Sequence, residues 1–139
     1  MNLTFAIGTL ICLIIGVIFA VRNTEDRERT KQNILMYSVI PSIIFGIFGH
    51  LVFGAKVRHA MKWGDGPGTL TLQREIGLIS IALLAVAVTK KDVNIGLIWG
   101  VFLVLAGINH FIETKKVGEV IIVADIVFGL FLVLMFGSA

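Results

Sequence analysis

The sequence predicts an all-α integral membrane bundle of five transmembrane helices, and three observations lead there. Hydrophobic residues make up 57% of the 139 and the mean hydropathy is +0.96, while only 15% of residues are charged, fewer than a soluble domain carries. The apolar residues fall into five runs, each close to the ~20 residues needed to cross hydrocarbon. The charges sit almost entirely between those runs. One transmembrane domain over residues 1–139 is therefore expected, with no room for a second, soluble one.

The first helix is expected over 3–21. No Lys or Arg precedes it, no small-x-small cleavage site follows, and Arg22, Arg27, Arg29 and Lys31 come after it, which suits a retained helix rather than a signal peptide. Residues 22–32 read as a solvated helical extension or turn, with Glu25 four residues before Arg29. The second helix is expected over 34–54, kinked at Pro41, which lacks a backbone donor. Lys56, Arg58, His59 and Lys62 with Trp63 then suit the headgroup region, and Gly64 to Gly68 form a turn. Thr69 or Thr71 can cap the third helix, expected over 70–89. Lys90-Lys91-Asp92 makes a tight connection to the fourth, 94–112, and Glu113 to Lys116 a short loop to the fifth, 117–136.

Composition also excludes. The pI of 9.3 comes from a net charge of only +3, and the basic residues lie in separate short loops, so no nucleic-acid face is expected. The lipid bilayer is the expected partner, and the cell membrane of a prokaryote the expected location. Cys12, the single cysteine, excludes an intramolecular disulfide and a thiolate cluster; it reads as a small packing residue.

Small residues recur at four-residue steps: Thr4, Gly8, Cys12, Gly16 and Ala20; then Ser38, Ser42, Gly46, His50 and Gly54. Gly96, Gly100, Gly107 and His110 mark the fourth helix, and Gly118, Asp125 and Gly129 the fifth. Lipid cannot drive helices together by hydrophobicity, so close packing of small residues is the expected glue, within the bundle or in a homo-oligomer. His50, His110 and Asp125 lie on these rows and should face other helices.

Up-and-down topology then brings His50, Gln73, Arg74, Glu75, Asn109, His110 and Asp125 to one side of the membrane. Asp125 lies about nine residues past Lys116, roughly 13 Å deep, where an unpaired carboxylate costs about 2.5–3.5 kcal/mol to insert. Four readings stay open. The groups could form a pocket for a small molecule, with Trp63 or Trp99 as an aromatic wall. His50, Glu75, His110 and Asp125 could hold a divalent zinc, iron or manganese ion. The same groups could relay protons or serve a proton- or cation-coupled transporter. Or they could only lock the bundle of a structural or assembly subunit.

At these residues the chain resembles an uncharacterised family of small multi-pass prokaryotic membrane proteins, a domain of unknown function. Gly49-His50, Trp63-Gly64, Gln73-Arg74-Glu75-Ile76-Gly77, Gly107-Ile108-Asn109-His110 and Asp125 stand in the family's order. Leu72 stands where the family has Phe, and Gly107 lies three rather than four residues before His110. The resemblance implies a shared polar site of His50, Gln73, Glu75, His110 and Asp125, and implies no particular activity.

The sequence reading is thus a pocket opening toward one leaflet that binds a small molecule or ion, with chemistry on it left open. No nucleophile motif, phosphate loop or cysteine pair points to a reaction. Each side of the membrane carries six basic residues, so the basic residues following the first helix decide orientation: N-terminus outside, C-terminus inside.

Overall fold

Apolar backbone in a bilayer must satisfy its own hydrogen bonds, and a helix does so within one segment. The computed structural model describes residues 3–22, 25–114 and 120–138, and among them there is no strand. Helix α1 is Leu3–Arg22 and α2 is Arg27–Val52; a short α3, Gly54–Ala60, follows. Then come α4, Pro67–Lys90, α5, Asn94–Thr114, and α6, Val120–Gly137. All but α3 are long and apolar enough to cross a membrane, the mark of an integral membrane protein. The expected start of the last helix at Val117, and Gly118, Lys115 and Lys116 with it, lie outside the described residues.

Helix α2 starts earlier than Ile34, the start expected from hydropathy. Asp26 caps it, its carboxylate accepting from the Arg29 N–H at 3.1 Å. The polar first turns are less solvated than their composition suggests, because Thr30 and Lys31 are buried. The Lys31 Nζ donates to the Ser138 carbonyl at 3.1 Å, and the Arg27 guanidinium to the Ser138 hydroxyl. Gln32 donates to the Lys91 carbonyl at 3.0 Å. The start of α2, the α4–α5 turn and the end of α6 therefore share one end of the bundle, as alternating helices require.

Two turns of α2 are π-helical, over Leu35–Val39 and Phe48–Val52. In the first, the Ile40 N–H bonds the Leu35 carbonyl, five residues back. Pro41 follows at once; its ring would press on the carbonyl four residues before it, and a wider turn relieves that pressure. In the second, Phe53 N–H bonds the Phe48 carbonyl at 2.8 Å, with His50 in the middle of the widened turn. Such single π turns gather at functional sites.

Neither Thr69 nor Thr71 caps α4. Gly66 is its N-cap and Pro67 its first helical residue, where a missing N–H costs nothing. The helix ends in a left-handed Lys91, and the Asp92 carboxylate accepts from the Asn94 N–H at 2.9 Å to start α5.

α2 lies at the centre. Its Ile34, Leu35, Val39 and Ile43 are buried with Trp99 and Leu103 of α5 and Phe128 and Leu132 of α6. α5 and α6 meet backbone to backbone: a Cβ on Gly129 would stand 2.7 Å from the Gly100 carbonyl oxygen. α1 uses Gly8 and Gly16 to receive the rings of Phe45 and Phe131. α4 leans on α2, where Leu51 fills the space beside Gly77, and barely touches α5.

Candidate functional site

Two adjoining cavities occupy the end of the bundle where α2 stops. The inner one, about 130 Å³, lies among α1, α2, α5 and α6. Its walls are largely aromatic, with Phe5, Phe45, Trp99 and Phe102, and His50, Trp63, His110 and Asp125 add polar groups. The outer one, about 370 Å³, is a cleft between α4 and α5, and His50, Trp63, Phe102, Ala106 and His110 border both.

His110 is the hub. Its Nε2 stands 3.9 Å from the Asp125 carboxylate and its Nδ1 3.8 Å from that of Glu113. These are electrostatic approaches, longer than hydrogen bonds. Asp125 itself is only 6% exposed, so His110 is the polar partner that reaches it across the α5–α6 seam. On its other face His110 carries the Trp63 indole, stacked at 5.7 Å with the planes 19° apart.

The fold of the preceding turn explains why Trp63 is there. α3 closes with Lys62 N–H on the His59 carbonyl and Trp63 N–H on the Arg58 carbonyl, at 3.2 and 2.8 Å. That is a Schellman ending, with Lys62 at φ 58° in the left-handed position usually given to glycine. The chain reverses and carries Trp63 back over the bundle. Its Nε1 donates to Glu113 Oε2 at 2.8 Å, and Glu113 Oε1 accepts from Asn109 at 3.3 Å. Trp63 is thus fastened to the last turn of α5 and covers His110.

Gln73 has a different task. It is buried; its amide donates to the Gly54 carbonyl at 3.3 Å and its oxygen accepts from Arg58 at 2.7 Å. Arg58 also pairs with Asp65 at 3.0 Å. This chain of contacts ties α3 and its Trp63 turn to the start of α4.

The expected cluster is therefore only partly assembled. His50, His110, Asp125 and Trp63 border the inner cavity, and Gln73 and Asn109 the outer one. Arg74 and Glu75 are exposed and border neither. Helix phase is the reason: Gln73, Gly77 and Ser80 form the buried face of α4, and Glu75 stands about 200° round from Gln73. With Glu75 turned away, the expected metal set of His50, Glu75, His110 and Asp125 does not come together. Among the described residues no three His, Cys, Asp or Glu are placed to hold a metal ion. His59 is exposed, as its basic surroundings suggest.

Glu113 and Arg58 were not expected in the site. A signal for Glu113 was present: it follows His110 by three residues and Asn109 by four, so one further turn of helix puts all three on one face. Trp99 is a wall of the inner cavity and is satisfied, its Nε1 donating to the Ser42 hydroxyl at 2.9 Å.

His50 is the exception among these polar groups. Its Nδ1 is buried and finds no hydrogen-bond partner among the described residues. Comparisons with protein-family models, with curated proteins and with solved structures found no match.

Proposed function

We propose that this membrane protein binds a small, mainly apolar molecule with one hydrogen-bonding head in the inner cavity. The observation that carries the reading is His50 Nδ1, a buried polar atom without a protein partner at the wall of an aromatic cavity. Leaving such an atom unsatisfied costs about 1–3 kcal/mol, which a guest hydroxyl or carbonyl would recover. The cavity's 130 Å³ is close to the ~150 Å³ apolar cavity known to admit one benzene ring. The guest's buried part is then about one ring in size, and the aromatic walls suit edge and face contacts with it.

Each polar residue has a role in this reading. His50 meets the head group. Asp125 orients His110, and Trp63, held by Glu113, covers that imidazole. The resemblance to the uncharacterised prokaryotic membrane family fits the same polar set, without Glu75. The orientation that accompanies the proposal is N-terminus outside and C-terminus inside. Reporter fusions at both termini test it, and a C-terminal fusion active only outside the cell overturns it.

The binding test uses 4-fluorophenol as the probe, followed by fluorine NMR with the protein in detergent micelles. Wild type should show saturable binding. Asp125→Asn and His50→Leu should each weaken it by about tenfold or more, ~1.4 kcal/mol, with thermal melting confirming a folded bundle. Equal affinity in wild type and His50→Leu, or no saturable binding to wild type, would sink the proposal. A large change in melting temperature for Asp125→Asn with unchanged affinity would return Asp125 to a purely bundle-locking role.

A further inference from the structure

The geometry points to one two-part site: a ring in the inner cavity and an aliphatic tail in the α4–α5 cleft, so that the ligand is a tailed phenol or quinone dissolved in the bilayer. The inference rests on the ring-binding reading above and adds the ligand class and its route of access.

The first ground is continuity. The cleft and the inner cavity meet at His50, Ala106 and His110, so a guest bound at His50 is in reach of both spaces. The second ground is how the cleft arises. α4 and α5 are joined by the tight turn at Lys91–Val93 but hardly touch beyond it. α4 is drawn to α2 by Leu51 at Gly77, and its start is tied to α3 through Gln73. The two helices are pinned at one end and splayed at the other, and the splayed end is where the two histidines lie. A gap between two membrane-spanning helices faces the bilayer, so the molecules that reach it are those dissolved there.

The third ground is the chemistry of the cleft wall. Leu72 and Ile76 of α4 face Leu105 of α5 across it. The amides that border it already have partners: Gln73 bonds Gly54 and Arg58, and Asn109 bonds Glu113. The cleft therefore offers apolar surface and asks for no second polar head. The volumes agree with this division. The inner 130 Å³ takes a ring, and the outer 370 Å³ takes a chain.

The test uses a 4-alkylphenol with a diazirine near the end of its chain, with the protein in nanodiscs of zwitterionic lipid. Light should label Leu72, Ile76 or Leu105, and untagged 4-alkylphenol should compete the label away. Ile76→Trp, which fills the cleft, should weaken binding of the tailed phenol about tenfold and leave 4-fluorophenol binding unchanged. Leu105→Trp, at an exposed position on the opposite wall, repeats the test should Ile76→Trp fail to fold. Labelling confined to α1 or α6, or equal loss of both phenols in the Trp variants, overturns the two-part site. In that event 4-fluorophenol binding to wild type shows that the ring site itself survives. If wild type binds neither phenol, the ring site and the two-part site fall together.

Discussion

α5 has two chain neighbours and treats them in opposite ways. Against α6 it packs so closely that backbone meets backbone, with Gly100 and Gly107 on one side and Gly129 on the other. Against α4 it leaves a cleft bordered by Leu72, Ile76, Phe102 and Leu105. Both pairs are apolar, so hydrophobicity does not distinguish them. In a bilayer it could not, since lipid is as good a solvent for Leu as another helix is. What differs is side-chain size at the facing positions. Glycines let two backbones approach and gain dispersion contacts over their length; larger side chains hold the helices apart and leave space for something else.

Three glycine substitutions grade this comparison. Gly129→Ala should have the largest effect. The new Cβ meets the Gly100 oxygen at 2.7 Å and the Val104 nitrogen at 2.8 Å, both backbone atoms that cannot turn aside. The helices must part, and the bundle should lose about 1–3 kcal/mol despite alanine's better helix propensity. Unfolding by SDS in mixed micelles measures this, and an unchanged midpoint would show that the seam is not held by close approach. Gly77→Ala should be milder. Its Cβ meets only the Leu51 side chain, at 2.4 Å. Leu51 can rotate, and the propensity gain offsets the repacking, so the net change should stay within about 1 kcal/mol of zero. A loss as large as that of Gly129→Ala would mean that α4 is seated on α2 as tightly as α6 on α5. Gly68→Ala should have the smallest effect, in the opposite direction. Nothing lies within 4 Å of its Cβ, so alanine should stabilise α4 by up to about 1 kcal/mol. Destabilisation there would show that the start of α4 is packed against something, which would argue against a wide cleft mouth.

The five spans were legible because each is a long run without charge, and bilayer thickness fixes how long such a run must be. The start of α2 was not, because hydropathy treats Arg27 to Gln32 as loop. Their helix is specified by the Asp26 cap and by two cations that reach Ser138, far away in sequence. Among the site residues, His50, His110 and Asp125 were legible because each sits on a row of small residues that faces other helices. Glu75 misled because it was placed by depth alone. Counting phase from Gln73 to Gly77 and Ser80 would have put it on the outer face. Depth along the membrane normal can be read from topology, but rotation about a helix axis needs the buried face to be identified first. The Trp63 lid was out of reach for another reason: it depends on a left-handed Lys62, and no glycine marks that reversal.

The π turn at Phe48–Val52 bears on how this chain tolerates insertions and deletions. Such a turn holds one residue more than the α turn it replaces, so everything after it is rotated by about 100° relative to an uninterrupted helix. The row of Ser38, Ser42 and Gly46 and the arm that follows Phe53 are thus out of phase with each other by design of chain length. Removing any one residue of the turn would let the ladder return to α spacing and shorten the span by only about 1.5 Å. The apolar length would survive, and so would the upper half of the helix. The arm bearing Arg58 and Trp63 would swing to another side of the bundle. At this one place the polar floor of the cavity is set by how many residues there are, more than by which they are.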